Sequence, residues 1–302
     1  MPELWIPITI VAAFMQNARS ALQKHLKGRL STLGATYVRF LYALPFAMLY
    51  VAALETFGGG PLPEPNRLFF VYVFLGGVAQ IVFTGLLMWL FSFRNFAVGT
   101  TFSKTEVVQV AILGLVILGD TLTPLAAIAV GVAAVGVMIL SAGQTNLSAA
   151  SLFTSLAEKP TLIGLASGAF LGASVVFFRG ASLALGHDSV VMAAAFTLAV
   201  ALVIQTAIMG LYLAWREPAT LKAVLVHWRW SLAVGIAGVL ASICWFTAFT
   251  LQNGAYVRAL GQIELIFTFV ASVFFFRERT SRPEIAGILL VAAGIVLLVL
   301  GR

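Results

Sequence analysis

Charge and cysteine are both scarce in this sequence. Of its 302 residues only 10% are Asp, Glu, Lys or Arg, against about a quarter in soluble domains, while 61% are hydrophobic. That balance excludes a water-soluble globular domain and identifies an integral membrane protein. The single cysteine, Cys244, stands in an apolar run, so neither an intrachain disulfide nor a cysteine-based metal site is available. There is no Walker A loop, no G-x-S-x-G elbow and no H-E-x-x-H helix, which argues against an ATP-driven pump and a zinc protease. The three histidines, His25, His187 and His227, lie apart in loops, and no metal or cofactor is expected. The opening MPELWIPITIVAAFMQNAR lacks a basic leader and a small-residue cleavage site, so it reads as a retained first span. The net charge of +7 comes from cations scattered through short loops, the pattern of interfacial Lys and Arg and not of a nucleic-acid surface.

The main organising feature is an internal repeat at half the chain length. Asn95 to Gly143 and Asn253 to Arg302 share one construction, with Asn95 matching Asn253, Glu106 matching Glu264 and Asp120 matching Glu278, each 158 residues apart. The two halves are residues 1–150 and 151–302, joined by the polar, Ser/Thr-rich stretch from Gly143 to Pro160.

A spanning helix needs roughly 20 apolar residues, and ten such runs fit. They are 4–22, 32–54, 69–93, 98–118, 121–141, 162–185, 188–214, 231–251, 256–276 and 283–300. The expected fold is therefore all-α, ten transmembrane helices. Five spans per half is an odd number, so the second half enters the membrane from the opposite side and the halves form two inverted five-helix repeats. On the sixth span Gly164, Gly168 and Gly172 recur every four residues, a face on which another backbone can approach closely. Asp120 and Glu278 are placed to cap the helices that follow them.

Within these spans a few polar groups stand out. Glu106 and Glu264 fall near the middle of the fourth and ninth, where a carboxylate is costly unless it faces a cavity or a partner. Arg39 and Arg179 either snorkel to an interface or serve as counter-ions of those acids or anchors for an anionic solute group. Arg19, Lys104 and Arg258 lie nearer span ends and read as snorkelling cations. Gln16 and Asn17 interrupt the first span with amides, and Gln109 lies one turn after Glu106 on the same face. Trp89, Trp245 and Tyr256 lie on spans that carry such groups and are candidates for lining a pocket.

An acid, about a dozen apolar residues, Glu-Arg-Thr and then a Gly-rich apolar span make up Glu264 to Leu300. This pattern resembles the EamA repeat of the drug/metabolite transporter superfamily. Glu106 to Ser141 resembles it less closely, since Asp120 replaces the hinge Glu. The resemblance implies a secondary transporter, not an enzyme, in which spans 1 to 4 and 6 to 9 surround a central cavity and spans 5 and 10 lie at the periphery. It implies an exporter in a bacterial inner membrane, moving a small polar metabolite such as an amino acid or other carboxylate, by proton exchange or down the solute's own gradient. Its partners would be that solute, protons and membrane lipid, with the chain acting as a monomer or weak dimer. A lipid flippase or scramblase of the same fold, or a membrane enzyme acting on lipid phosphates, are the alternatives. The Lys and Arg count places the odd-numbered loops in the cytoplasm and both termini outside, whereas the resemblance places both termini inside.

Overall fold

The structure is a computed structural model that describes residues 3–26, 30–58, 60–90, 93, 96–144, 157–274 and 281–301. Its described elements are helical: α1 (Trp5–Leu26), α2 (Thr32–Leu41), α3 (Leu44–Phe57), α4 (Arg67–Leu90), α5 (Phe96–Ser103), α6 (Glu106–Leu118), α7 (Pro124–Gln144), α8 (Lys159–Ala184), α9 (Val190–Arg216), α10 (Pro218–Val226), α11 (Trp228–Leu251), α12 (Gly254–Gly261), α13 (Ile263–Phe274) and α14 (Arg282–Leu300). Eight stretches among the described residues are long and apolar enough to cross a membrane, at Thr32–Phe57, Arg67–Leu90, Ala97–Leu118, Pro124–Gln144, Lys159–Ala184, Val190–Arg216, Trp228–Leu251 and Arg282–Leu300. They match eight of the ten expected spans. The helix α1 has the length, 22 residues, but Gln16, Asn17 and Arg19 interrupt its apolar run. The expected ninth span is divided into α12 and α13, and residues 275–280 beyond it lie outside the described part.

The repeat is legible in the helix starts. Ser31 caps α2 by accepting from the Gly34 N–H, and Ser189, 158 residues on, caps α9 by accepting from the Met192 N–H. A Ser at this position satisfies a backbone donor that has no partner in the first turn. The helices α5 and α12 begin and end at the same offset, and so do the starts of α7 and α14.

The chain forms two compact units, residues 1–78 with 177–252 and residues 79–176 with 253–302. Each draws helices from both halves of the sequence. In the first, α1 packs along α11, and α9 packs on α3 and α11. Trp5, Phe40, Phe69, Met192 and Leu213 are among its fully buried side chains. Pro45, in the first turn of α3, has no N–H and its ring excludes the carbonyl four residues back, so the second span is two helices, α2 and α3, instead of one.

In the second unit α7 and α14, the fifth and last spans, pack against each other at backbone distance. A Cβ built on Gly136 would stand 2.7 Å from the Val291 nitrogen, one on Gly287 2.5 Å from the Leu140 nitrogen, and one on Gly294 2.8 Å from the Ala133 nitrogen. Lipid supplies no hydrophobic drive between helices, so small residues that let backbones touch hold such a pair together. The expected packing face on α8 is also present. Gly164 faces the backbone of Gly99, Gly168 the carbonyl of Ser103, and Gly172 the side chain and nitrogen of Val110.

The cap of α7 corrects the sequence expectation for Asp120. Gly119, with a φ of 71°, ends α6, and the Thr123 hydroxyl oxygen accepts from the Ala126 N–H at the start of α7. The same hydroxyl donates to the Gly301 carbonyl at 2.6 Å, tying the start of α7 to the end of α14. Asp120 stands too far back along the chain to fill that place. The matching acid, Glu278, lies outside the described residues. Thr123→Ala is therefore expected to lower stability by about 0.5–2 kcal/mol, measured as unfolding of the purified protein in detergent.

Candidate functional site

Two helix interruptions at equivalent places in the repeat build the site, both within the second unit. Between α5 and α6 the Lys104 N–H bonds to the Thr101 carbonyl and the Thr105 N–H to Phe102, a tightening to i→i−3 spacing. The cause is local. Thr100, Thr101, Ser103 and Thr105 each turn a hydroxyl onto a carbonyl three or four residues back and compete with the helical ladder. Between α12 and α13 the Gln262 N–H bonds to Ala259 in the same way, after Gly261, a poor helix former. Lys104 and Gln262 are themselves 158 residues apart. Both acids therefore stand in the first turn of the helix that resumes after a break, Glu106 in α6 and Glu264 in α13.

There the positive end of the helix favours a carboxylate. Glu106 is 4% exposed, and the Arg258 guanidinium donates to its Oε1. The bridge joins α12 to α6. Arg258 lies as well within the electrostatic reach of Glu264, the acid at the matching place in the repeat, while its bonded partner is Glu106. The counter-ion of Glu106 is thus Arg258, and not Arg39 or Arg179, and Arg258 does not snorkel: its side chain is 11% exposed.

Two buried amides flank this pair. The Gln109 side-chain nitrogen donates to the Thr105 hydroxyl at 3.0 Å and to the Leu165 carbonyl at 3.3 Å, while its Oε1 is buried with no hydrogen-bond partner among the described residues. Gln262, 2% exposed, donates weakly to the Arg258 carbonyl at 3.4 Å, and its Oε1 is likewise unmatched among the described residues. A buried acceptor is costly to leave without a donor, and native structures keep few of them. Tyr256 is 6% exposed, and its hydroxyl oxygen lies 3.4 Å from the Thr123 N–H. Trp89 is 55% exposed and touches Phe93.

The other candidates lie in the first unit. The Trp245 indole N–H donates to Gln16 Oε1 at 3.1 Å, and its ring stacks on Phe249. Asn17 follows Gln16 on α1. Arg179 donates to the carbonyls of Phe249 at 2.5 Å and Gln252 at 2.7 Å, closing the C-terminal end of α11 as a cation does at the negative end of a helix. Arg39 lies in the last turn of α2, with its guanidinium 5.1 Å from the centre of the Phe40 ring.

The EamA-like transporter family matches the chain twice, over residues 3–142 and 158–300. The chain belongs to the EamA-like transporter family. It is accordingly a membrane transporter, with one EamA repeat in each half. No curated protein matches the sequence. Among solved structures, one titled "Crystal structure of protein" superposes with a TM-score of 0.71 at 13% identity, covering 100% of this chain and 99% of the other. At that identity the likeness concerns the fold.

Arg258 is the residue that sequence reasoning about this EamA chain misplaced. Its signal was its position six residues before Glu264 on the same expected span, in the helix that the repeat makes the counterpart of the one bearing Glu106.

Proposed function

We propose that this EamA protein is a ten-span, inverted-repeat secondary carrier of a bacterial inner membrane. It exports a small polar metabolite, such as an amino acid or other carboxylate, by alternating access coupled to protons. The observation that carries the reading is the Glu106–Arg258 bridge between two interrupted helices, with Glu264 acting on the same guanidinium. Interrupted helices at the middle of a membrane are where carriers place their ion and solute groups, because the freed backbone and the helix ends supply polar contacts there. A carboxylate bonded to a guanidinium stays ionised, and one that loses it in an apolar site takes up a proton. A conformational change that moves Arg258 between the two acids would therefore bind and release a proton as it exposes the solute site to one side and then the other.

The test is transport of labelled amino acids by proteoliposomes with and without an imposed pH gradient. Glu264→Gln and Glu106→Gln keep shape and hydrogen bonding but cannot titrate. Both are expected to fold and to lose the response to the gradient. If both keep the wild-type rate and response, proton coupling by these acids is wrong, and a facilitator, or a scramblase read by movement of labelled lipid, takes its place.

A further inference from the structure

The groove between α6 and α7 in the second unit has a volume of about 440 Å³, within the range of about 300–1,000 Å³ usual for ligand clefts. Its walls are largely apolar. Val108, Ile112 and Leu115 follow one another at four and three residues along one face of α6, and Ala127 and Gly131 lie one turn apart on α7. Ile112 and Leu115 are 56% and 54% exposed, so the groove opens outward to lipid. Gly131 leaves its floor free, with nothing within 4 Å of a Cβ built there. From Val108 to Leu115 the groove runs about 10 Å along the helix, the direction in which an acyl chain lies.

One end of the groove carries its charge. Gly119, at a φ of 71°, closes α6 with its own N–H on the Leu115 carbonyl and the Asp120 N–H on the Gly114 carbonyl, each at 3.1 Å. That turn folds Asp120 back over α6, with its Oδ2 3.6 Å from a Cβ built on Gly114, and makes it part of the groove wall. The residue stands between the spanning stretches Ala97–Leu118 and Pro124–Gln144, hence at the level of the lipid headgroups. It does not cap α7, a place that Thr123 fills.

A carboxylate at headgroup level above an apolar groove selects among lipids by charge. A lipid whose phosphate is its only charge brings a second anion beside Asp120, whereas an ammonium headgroup donates a charge-assisted hydrogen bond to it. A quaternary choline headgroup has the charge but no N–H to donate. A carboxylate offers about four lone-pair sites, so it can accept from an ammonium beside any other donor it serves. We propose that this groove binds a phospholipid with a primary ammonium headgroup, phosphatidylethanolamine, with the ammonium on Asp120 and an acyl chain along Val108, Ile112, Leu115 and Gly131. The site does not depend on the transport reading above.

The experiment uses the full chain purified in detergent and stripped of lipid. Equimolar phosphatidylethanolamine, phosphatidylcholine and phosphatidylglycerol with identical chains are the probes, and native mass spectrometry reads which lipid stays bound. The wild type is expected to retain phosphatidylethanolamine about two- to fivefold over each of the others, as an ion pair at a solvated surface allows. Asp120→Asn keeps the shape and should lose that preference while still binding lipid. Gly131→Leu, whose side chain enters the free floor, should retain less of all three. A phosphatidylethanolamine with a photoreactive group on its acyl chain should cross-link the wild type within α6 and α7, a measurement that needs no variant to fold. Equal retention of the three lipids by the wild type, an unchanged preference in Asp120→Asn, full retention in Gly131→Leu, or cross-links confined to other helices overturns the proposal. A dimer that forms as lipid is removed and is broken by Gly131→Leu would mean that a second copy fills the groove, and overturns it too.

Discussion

Arg258→Gln is expected to lower the stability of the purified protein by about 3–5 kcal/mol, the largest loss for any single polar substitution among the described residues. Glu106 is 4% exposed, and the Arg258 side chain 11%. Removing the guanidinium leaves a carboxylate in a dry site with its principal partner gone, and the penalty is that of an uncompensated buried charge, not the modest worth of a surface pair. Glu106→Gln should cost less, because Arg258 keeps the electrostatic attraction of Glu264. In the double variant Glu106→Gln/Arg258→Gln neither charge remains, two amides face each other, and most of the loss should return. Unfolding of the four proteins in a detergent titration gives the coupling energy directly. A single-variant loss below about 1 kcal/mol would mean that the pair behaves as an exposed one. Additive losses in the cycle would mean that Glu106 and Arg258 do not depend on each other.

Gly164→Ala is expected to be nearly as damaging, for a reason of space alone. A Cβ on Gly164 would stand 2.8 Å from the carbonyl carbon of Gly99 and closer still to its oxygen. Both atoms are backbone and cannot swing aside, so α8 and α5 must move apart. Overpacking of this kind costs about 1–3 kcal/mol and occasionally more. The three glycines of α8 should form a graded series, because the built Cβ of Gly168 meets the Ser103 carbonyl oxygen at 2.8 Å, whereas that of Gly172 meets a methyl and the backbone nitrogen of Val110 only at 3.3 Å, a gap of a few tenths of an ångström that a small shift can supply. Gly131 is the control. It lies inside α7 with nothing within 4 Å of its built Cβ, so Gly131→Ala should be neutral or raise stability by about 0.4–1 kcal/mol. Thermal unfolding of the four variants tests the order, and equal effects at Gly164 and Gly131 would contradict the close approach of α5 and α8.

Much of the architecture was written in local pattern. Low charge and long apolar runs determine a helical membrane protein whatever the packing, because backbone polar groups in lipid must be satisfied within a helix or a closed barrel. The offset of 158 residues carried the repeat, since the same caps, breaks and helix starts recur wherever the same short motif does: Ser31 and Ser189, Lys104 and Gln262, Pro124 and Arg282. The glycine face of α8 was legible too, because a spacing of four residues places side chains on one side of any helix. The acids Glu106 and Glu264 were visible as costs that some partner had to offset.

What tertiary structure decided was which partner. Helix spacing says that Arg258 lies near a span end, but not that α12 turns it onto α6, since a contact across 152 residues depends on how two helices face each other and leaves no local trace. The same holds for Arg179, taken up by the carbonyls that end α11, and for Trp245, bonded to Gln16 from 229 residues away. The cap of α7 by Thr123 and not Asp120 turned on where the helix starts, a shift of three residues that hydrophobic periodicity does not resolve. Breaks in the fourth and ninth spans followed from hydroxyl groups and a glycine competing with the helical ladder, a local cause that an apolar-run reading passes over. Composition and period thus determined the elements and their symmetry, while the pairing of charges and amides was decided by the facing of helices distant in sequence.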